Sequence, residues 1–149
     1  RAVLGSRGLG DVYKRQPIIH DELSLKFKSL PATKQDLGAA TDLKDTLLSN
    51  KDRAAGLAAN MIGVQKRIIA LFVGPLPIVM LNPIIVAQDD KYLAYEGCLS
   101  LTGERPTERY KTITVKYQNE NLETRQQSFS DFTAEVIQHE VDHCNGILI

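Results

Sequence analysis

Residues 139–143 read His-Glu-Val-Asp-His. On a helix, a spacing of four puts both imidazoles on one face about a turn apart. That is close enough to grip one small cation, with Glu140 beside them as a base. Two histidines are not a complete site, because a catalytic centre that leaves one position open for water takes a third protein ligand. Zinc proteases with this pattern find that ligand downstream. Here the six residues after His143, Cys144 to Ile149, include no His, Asp or Glu, so the third ligand is expected upstream. Cys144 projects roughly a hundred degrees around the helix from the histidine face and reads as a packed small residue. His20 and the carboxylates stay open as alternatives. Cys98 is the strongest candidate: it stands in Glu96-Gly97-Cys98-Leu99-Ser100, at a predicted strand end where glycine permits close backbone approach.

These residues need elements to hold them. Phe132, Val136, His139 and His143 recur at steps of four, three and four, which predicts a helix from Ser130 or Asp131 to a stop at Asn145-Gly146. Thr33 followed by Asp36 reads as an N-cap with an acidic partner, opening a helix to about Asn50 that buries Leu37, Ala40, Leu43, Leu47 and Leu48. Arg67 to Val73, bounded by Gly74-Pro75, predicts a strand. Pro77 to Gln88 and Lys91 to Ser100 predict two more, with Asp89-Asp90 turning between them. Ile113, Val115 and Tyr117 alternate with Thr114 and Lys116. Asn119 to Asn121 then turn into a polar strand near Glu123 to Phe129. Helix, several strands, helix is an α+β order, with mainly antiparallel sheets packed around the C-terminal metal-binding helix.

The chain has 149 residues, 43% of them hydrophobic, with 18 basic and 18 acidic side chains. That is enough for one domain with a core, expected over residues 17–149. A balanced charge leaves no footprint for nucleic acid or an anionic membrane. Arg1 to Gln16 mixes Gly, Arg and Lys without periodicity and reads as an extraneous or disordered N-terminal segment. The two distant cysteines and the lack of a long apolar run point to a reducing cytoplasm.

The chain resembles the peptide deformylases in three motifs met in order: Gly56-Leu57-Ala58-Ala59, Glu96-Gly97-Cys98-Leu99-Ser100, and His139 to His143 followed by Gly146. The resemblance spans about Pro17 to Ile149. It implies removal of the N-formyl group from the initiator methionine of nascent polypeptides, near the ribosome. Cys98, His139 and His143 would hold one divalent ion, Fe(II) in the cell with Zn(II), Ni(II) or Co(II) as substitutes. Glu140 would be the acid/base, and Gly56 and the Leu99 N–H substrate or oxyanion contacts. Arg105, seven residues after Cys98, matches an arginine that contacts the peptide backbone.

The first motif departs from the family pattern Gly-x-Gly-x-Ala-Ala-x-Gln. Ala54 stands at its first glycine and Met61 at its glutamine, and a thioether cannot donate the hydrogen bond that glutamine would give an oxyanion. Losing one such donor costs about a hundredfold to a thousandfold in rate unless Asn60 or Gln65 replaces it. Glu135, one turn before His139, stands where the family places an apolar wall of the methionine pocket. Two rival readings follow: a deformylase-fold protein that binds metal or peptide with little turnover, and a zinc endopeptidase, which suffers from the missing downstream ligand.

Overall fold

The computed structural model describes residues 16–148, so the expectation for the N-terminal segment lies, save for Gln16, outside the described residues. Its elements are a single helical turn α1 (Glu22–Leu25), α2 (Leu37–Ser49), α3 (Asp131–Cys144) and five strands: β1 (Gly56–Ala58), β2 (Ile68–Val73), β3 (Leu76–Cys98), β4 (Leu101–Gln118) and β5 (Thr124–Ser130). The strands form one antiparallel sheet in chain order. The α+β expectation holds.

The capping residues at Thr33 behave as the sequence reads. Its hydroxyl accepts from the Gln35 N–H, and the Asp36 carboxylate accepts from the Thr33 N–H at 2.8 Å. A 3-10 turn, Lys34–Asp36, leads into α2. There Ala40, Leu43 and Leu47 are fully buried, while Leu37 and Leu48 are half-buried. The core gathers these side chains with Leu57, Ile68, Ile69, Leu71, Met80, Leu81 and Ile137. Each large apolar group sequestered in this way stabilises the fold by about 1.5–3 kcal/mol.

One expectation for the strands is corrected. Asp89-Asp90 does not turn: β3 runs through it for 23 residues, and Asp90 takes a φ of +67° while its neighbours keep register with Thr112 and Tyr110. A pair of acids marks a turn only if no partner strand continues alongside, and β4 does. The charged stretch Glu104 to Lys111 lies within β4. The short β1 and the 3-10 turn Ala59–Ile62 behind it carry no sequence signal of their own.

The helix α3 packs on β1, β2, β4 and β5. It ends at Asn145, and Gly146 at φ +75° leads the chain away. A Cβ on Gly146 would lie 2.2 Å from the Lys26 carbonyl oxygen, so this stop also lets the α1 segment approach the end of the helix.

Candidate metal centre and its pocket

The alternation of β3 puts Glu96 and Cys98 on one side of the strand, toward α3, where the spacing of four lines up His139 and His143. One ligand atom from each of Cys98, His139 and His143 lies within 4.8 Å of the others, a spread that a single divalent ion can bridge. The imidazole centroids are 5.2 Å apart. His143 is wholly buried and neither of its ring nitrogens has a hydrogen-bond partner, nor does His139 Nε2. Buried nitrogens left unpaired beside a thiol are costly unless a cation uses them. The residues fit a metal. His20, the open alternative, is not of this group: its Nδ1 donates to the Ser100 carbonyl at 2.9 Å.

A second layer orients the first, and the sequence reading missed it. His139 Nδ1 donates to Glu96 Oε1 at 2.9 Å, which leaves Nε2 to face the other ligands. Glu96 in turn accepts from Arg109 Nε at 2.9 Å and Nη2 at 2.7 Å, and Arg109 Nη1 donates to Asp142 at 2.7 Å. Arg109 is only 4% exposed. One guanidinium thus ties the strand that carries Cys98 to the helix that carries both histidines. Gln138 adds a clamp, with its side-chain amide bonding both the N–H and the carbonyl of Tyr110 at 2.9 and 2.8 Å. Glu96 and Asp142 stand next to predicted ligands and could have been suspected; Arg109 gives no local signal.

The electrostatics follow from this packing. Burial alone would raise Glu96, but His139 and Arg109 outweigh it and hold the carboxyl at about 2. Burial alone would lower His139, yet the Cys98 thiol and Glu96 raise it to about 10. His143, facing no carboxylate, is lowered by burial and by His139 to about 3. Burial raises Glu140 to about 7, against the pull of His139. The Oε1 atom of Glu140 is buried without a partner.

A pocket of about 220 Å³ opens over these groups. Its walls are Arg53 to Gly56, the Tyr95 to Leu99 stretch, and Phe132, Glu135, Val136, His139 and Glu140 from α3. Gly56 is required there, because a Cβ would meet Val136 Cγ1 at 2.7 Å and Glu140 Cγ at 3.3 Å. Glu135 borders the pocket, its Oε1 accepting from the Tyr92 hydroxyl at 3.2 Å. Arg105 does not reach the wall; on β4, it donates from Nη2 to the Thr102 carbonyl at 3.0 Å. Neither amide near the first motif is free to replace the missing glutamine. Asn60 Nδ2 donates to the His143 carbonyl at 2.9 Å, and Gln65 Nε2 to the Ser24 carbonyl at 3.1 Å. Met61 is buried, with its sulfur 3.4 Å from the Ala58 N–H.

A buried carboxyl of raised pKa with an unpartnered Oε1, beside three convergent soft and borderline ligands of which Cys98 and His139 line an open pocket and His143 lies buried behind them, is the arrangement of a metal-dependent hydrolase. Residues 17–149 match the family model for polypeptide deformylase. A peptide deformylase of Clostridium beijerinckii is 49% identical over 134 residues, covering 90% of this chain and 98% of its own, and one of Dictyoglomus turgidum is 39% identical over 127 residues, covering 84% and 83%. The crystal structure of a class I type b peptide deformylase from Acinetobacter baumannii bound to Met-Ala-Ser superposes with a TM-score of 0.81 at 30% identity, covering 93% of this chain and 97% of that one. The chain belongs to the polypeptide deformylase family, whose members are metal-dependent.

Proposed function

We propose that the chain hydrolyses the formyl amide of N-formylmethionyl peptides, with residues 17–149 as the catalytic domain and Cys98, His139 and His143 as the metal ligands. The observation that carries this reading is the convergence of those three ligand atoms within 4.8 Å under a pocket that Glu140 also lines. The donor set of one thiolate and two imidazoles suits Fe(II) as well as Zn(II), and the family resemblance favours iron in the cell. A divalent ion held there supplies the Lewis acidity that brings the pKa of a water toward neutrality.

The protein's own groups do the rest. Glu140, buried between the two histidines in the sequence and lining the pocket, takes a proton from the attacking water. Oxygen adds to the formyl carbon. The charge that develops on the formyl oxygen is met by the Leu99 N–H, which lies in the turn outside the strand ladder. Glu140 then returns the proton to the departing amine, the carbon–nitrogen bond breaks, and formate and the free α-amine are released. Gly56 keeps the β1 edge of the pocket bare, so a peptide backbone can lie against it. The first side chain of the substrate enters between Ala55, Phe132, Glu135 and Val136. Nascent chains in the cytoplasm, close to the ribosome, are the proposed source of substrate.

The second reading, a metal- or peptide-binding protein with little turnover, is favoured by Met61, which stands in place of a donor that neither Asn60 nor Gln65 replaces. Formate release from formyl-Met-Ala-Ser by anaerobically purified protein loaded with Fe(II) or Ni(II), beside Glu140→Ala, separates the two. Catalysis predicts release that Glu140→Ala abolishes with its metal retained. One metal per chain without formate leaves the binding reading.

A further inference from the structure

Cys98 and Leu101 are partners across the β3–β4 ladder, so Leu99 and Ser100 alone make the turn beside the pocket. Two-residue hairpin turns ordinarily take positive φ at one or both central residues, because that matches the right-handed twist of the arms. Neither Leu99 nor Ser100 does so; the positive φ in this stretch falls at Gly103. The ladder also shifts register between Glu96 and Cys98. A turn of this kind does not hold its own peptide planes as firmly as the favoured types, and it needs an anchor from outside the hairpin.

The chain supplies one from the other end of the sequence. The His20 imidazole donates through Nδ1 to the Ser100 carbonyl at 2.9 Å, and the preceding residue, Ile19, donates its N–H to the Met61 carbonyl at 2.7 Å. The segment therefore runs as a strap from the turn behind β1 to the turn behind Cys98. Ser100 is 3% exposed, whereas His20 is exposed, so the bond fixes a buried turn from the surface while burying little of its own.

We infer that His20 is a positioning residue for the oxyanion donor: by holding the Ser100 carbonyl it fixes the turn that aims the Leu99 N–H into the pocket. The inference rests on the deformylation reading, which gives that N–H its task. It matters more in this chain than it would beside a glutamine, because Met61 donates nothing and the Leu99 N–H has to act without that second donor. Small errors of aim at a reacting centre are costly in rate.

The test compares His20→Ala and His20→Asn with the parent protein. Asparagine places an amide N–H close to where Nδ1 stands, and so it keeps the donor. Three quantities are measured: kcat and KM for formyl-Met-Ala-Ser on the Ni(II)-loaded protein, bound metal per chain, and amide hydrogen exchange at Leu99 and Ser100 in the metal-free protein. His20→Ala is expected to lower kcat about tenfold, short of the loss of a whole donor, with KM and metal content unchanged and faster exchange confined to the turn. His20→Asn is expected to recover most of both. A kcat within twofold of the parent, a fall that tracks lost metal, or no recovery with asparagine overturns the inference. Should the parent itself release no formate, the deformylation reading falls, and the exchange rates alone then decide whether His20 holds the turn.

Discussion

The two walls of the pocket are built to different standards. On one side, the cradle of Cys98, His139 and His143 has a full outer layer: Glu96 on His139, Arg109 on Glu96, and Asp142 on Arg109. On the other, the Gly56–Ile62 segment keeps the shape of the family motif but not its donor. Gly56 still leaves room for Val136, whose Cγ1 would stand 2.7 Å from a Cβ at that position, while Met61 turns its sulfur to the Ala58 N–H. On the proposed reading, metal retention and oxyanion stabilisation are separable in this chain: the first is backed by that outer layer, and the second rests on the Leu99 turn.

The largest expected effect tests the cradle. Cys98→Ala should strip nearly all metal, while Cys144→Ala, whose side chain is packed in the core, should leave metal at one per chain and cost only stability. Equal metal contents by atomic absorption would show that the cradle is not the one described. Next, Met61→Gln should restore the weaker wall and raise kcat by about tenfold to a hundredfold, the converse of losing a donor. An unchanged kcat in a variant that still binds metal would place the limitation elsewhere.

Glu96→Gln comes third and should weaken metal affinity about tenfold, the usual effect of losing a partner that orients a ligand. It also carries a pH signature in the metal-free protein. The folded Glu96 carboxyl is depressed from 4.5 to about 2, so its stabilisation is fully present above the unfolded value and disappears as pH falls from about 4.5 toward 2. Thermal melts across that window should lose part of their acid slope in Glu96→Gln; an identical slope would remove Glu96 from the account. The smallest effect is expected at the pocket rim. Glu135→Leu should raise kcat/KM for formyl-Met over formyl-Gln peptides by a few-fold, because it replaces a carboxyl that burial and Glu96 push upward with an apolar wall. A lower formyl-Met preference would reverse that role.

The stronger wall was also the more legible. His139 and His143 announce themselves by spacing on a strongly patterned helix, and Thr33 with Asp36 marks the start of α2 by local chemistry alone. What escaped reading depends on partners far along the chain. Asp89-Asp90 looks like a turn until β4 is known to run beside it, and Arg109, whose register partner is Tyr92, looks like one more charge in Glu104 to Lys111 until its guanidinium is seen to bridge Glu96 and Asp142. His20 stays open as a ligand in the sequence because histidine suggests metal; the Ser100 carbonyl it meets, 80 residues away, leaves no mark in the sequence around it. The Met61 substitution was visible at once. That Asn60 and Gln65 are both engaged elsewhere needed the structure.

The unequal exposure of the two thiols sets how the protein ages in air. Cys98 is half-buried and lines an open pocket against His139, while Cys144 is 1% exposed. A cysteine sulfur open to a pocket, when no cation occupies it, is within reach of peroxide, and the first product is a sulfenic acid. With Cys144 shut inside the core, the chain offers that acid no second sulfur with which to form a disulfide. Oxidation then proceeds to the sulfinic and sulfonic acids, from which thiols do not return. Were a bound ion lost in oxygenated solution, that oxidation would be one-way, and storage under reductant or with a tightly held substitute ion would decide how long the Cys98 thiol lasts.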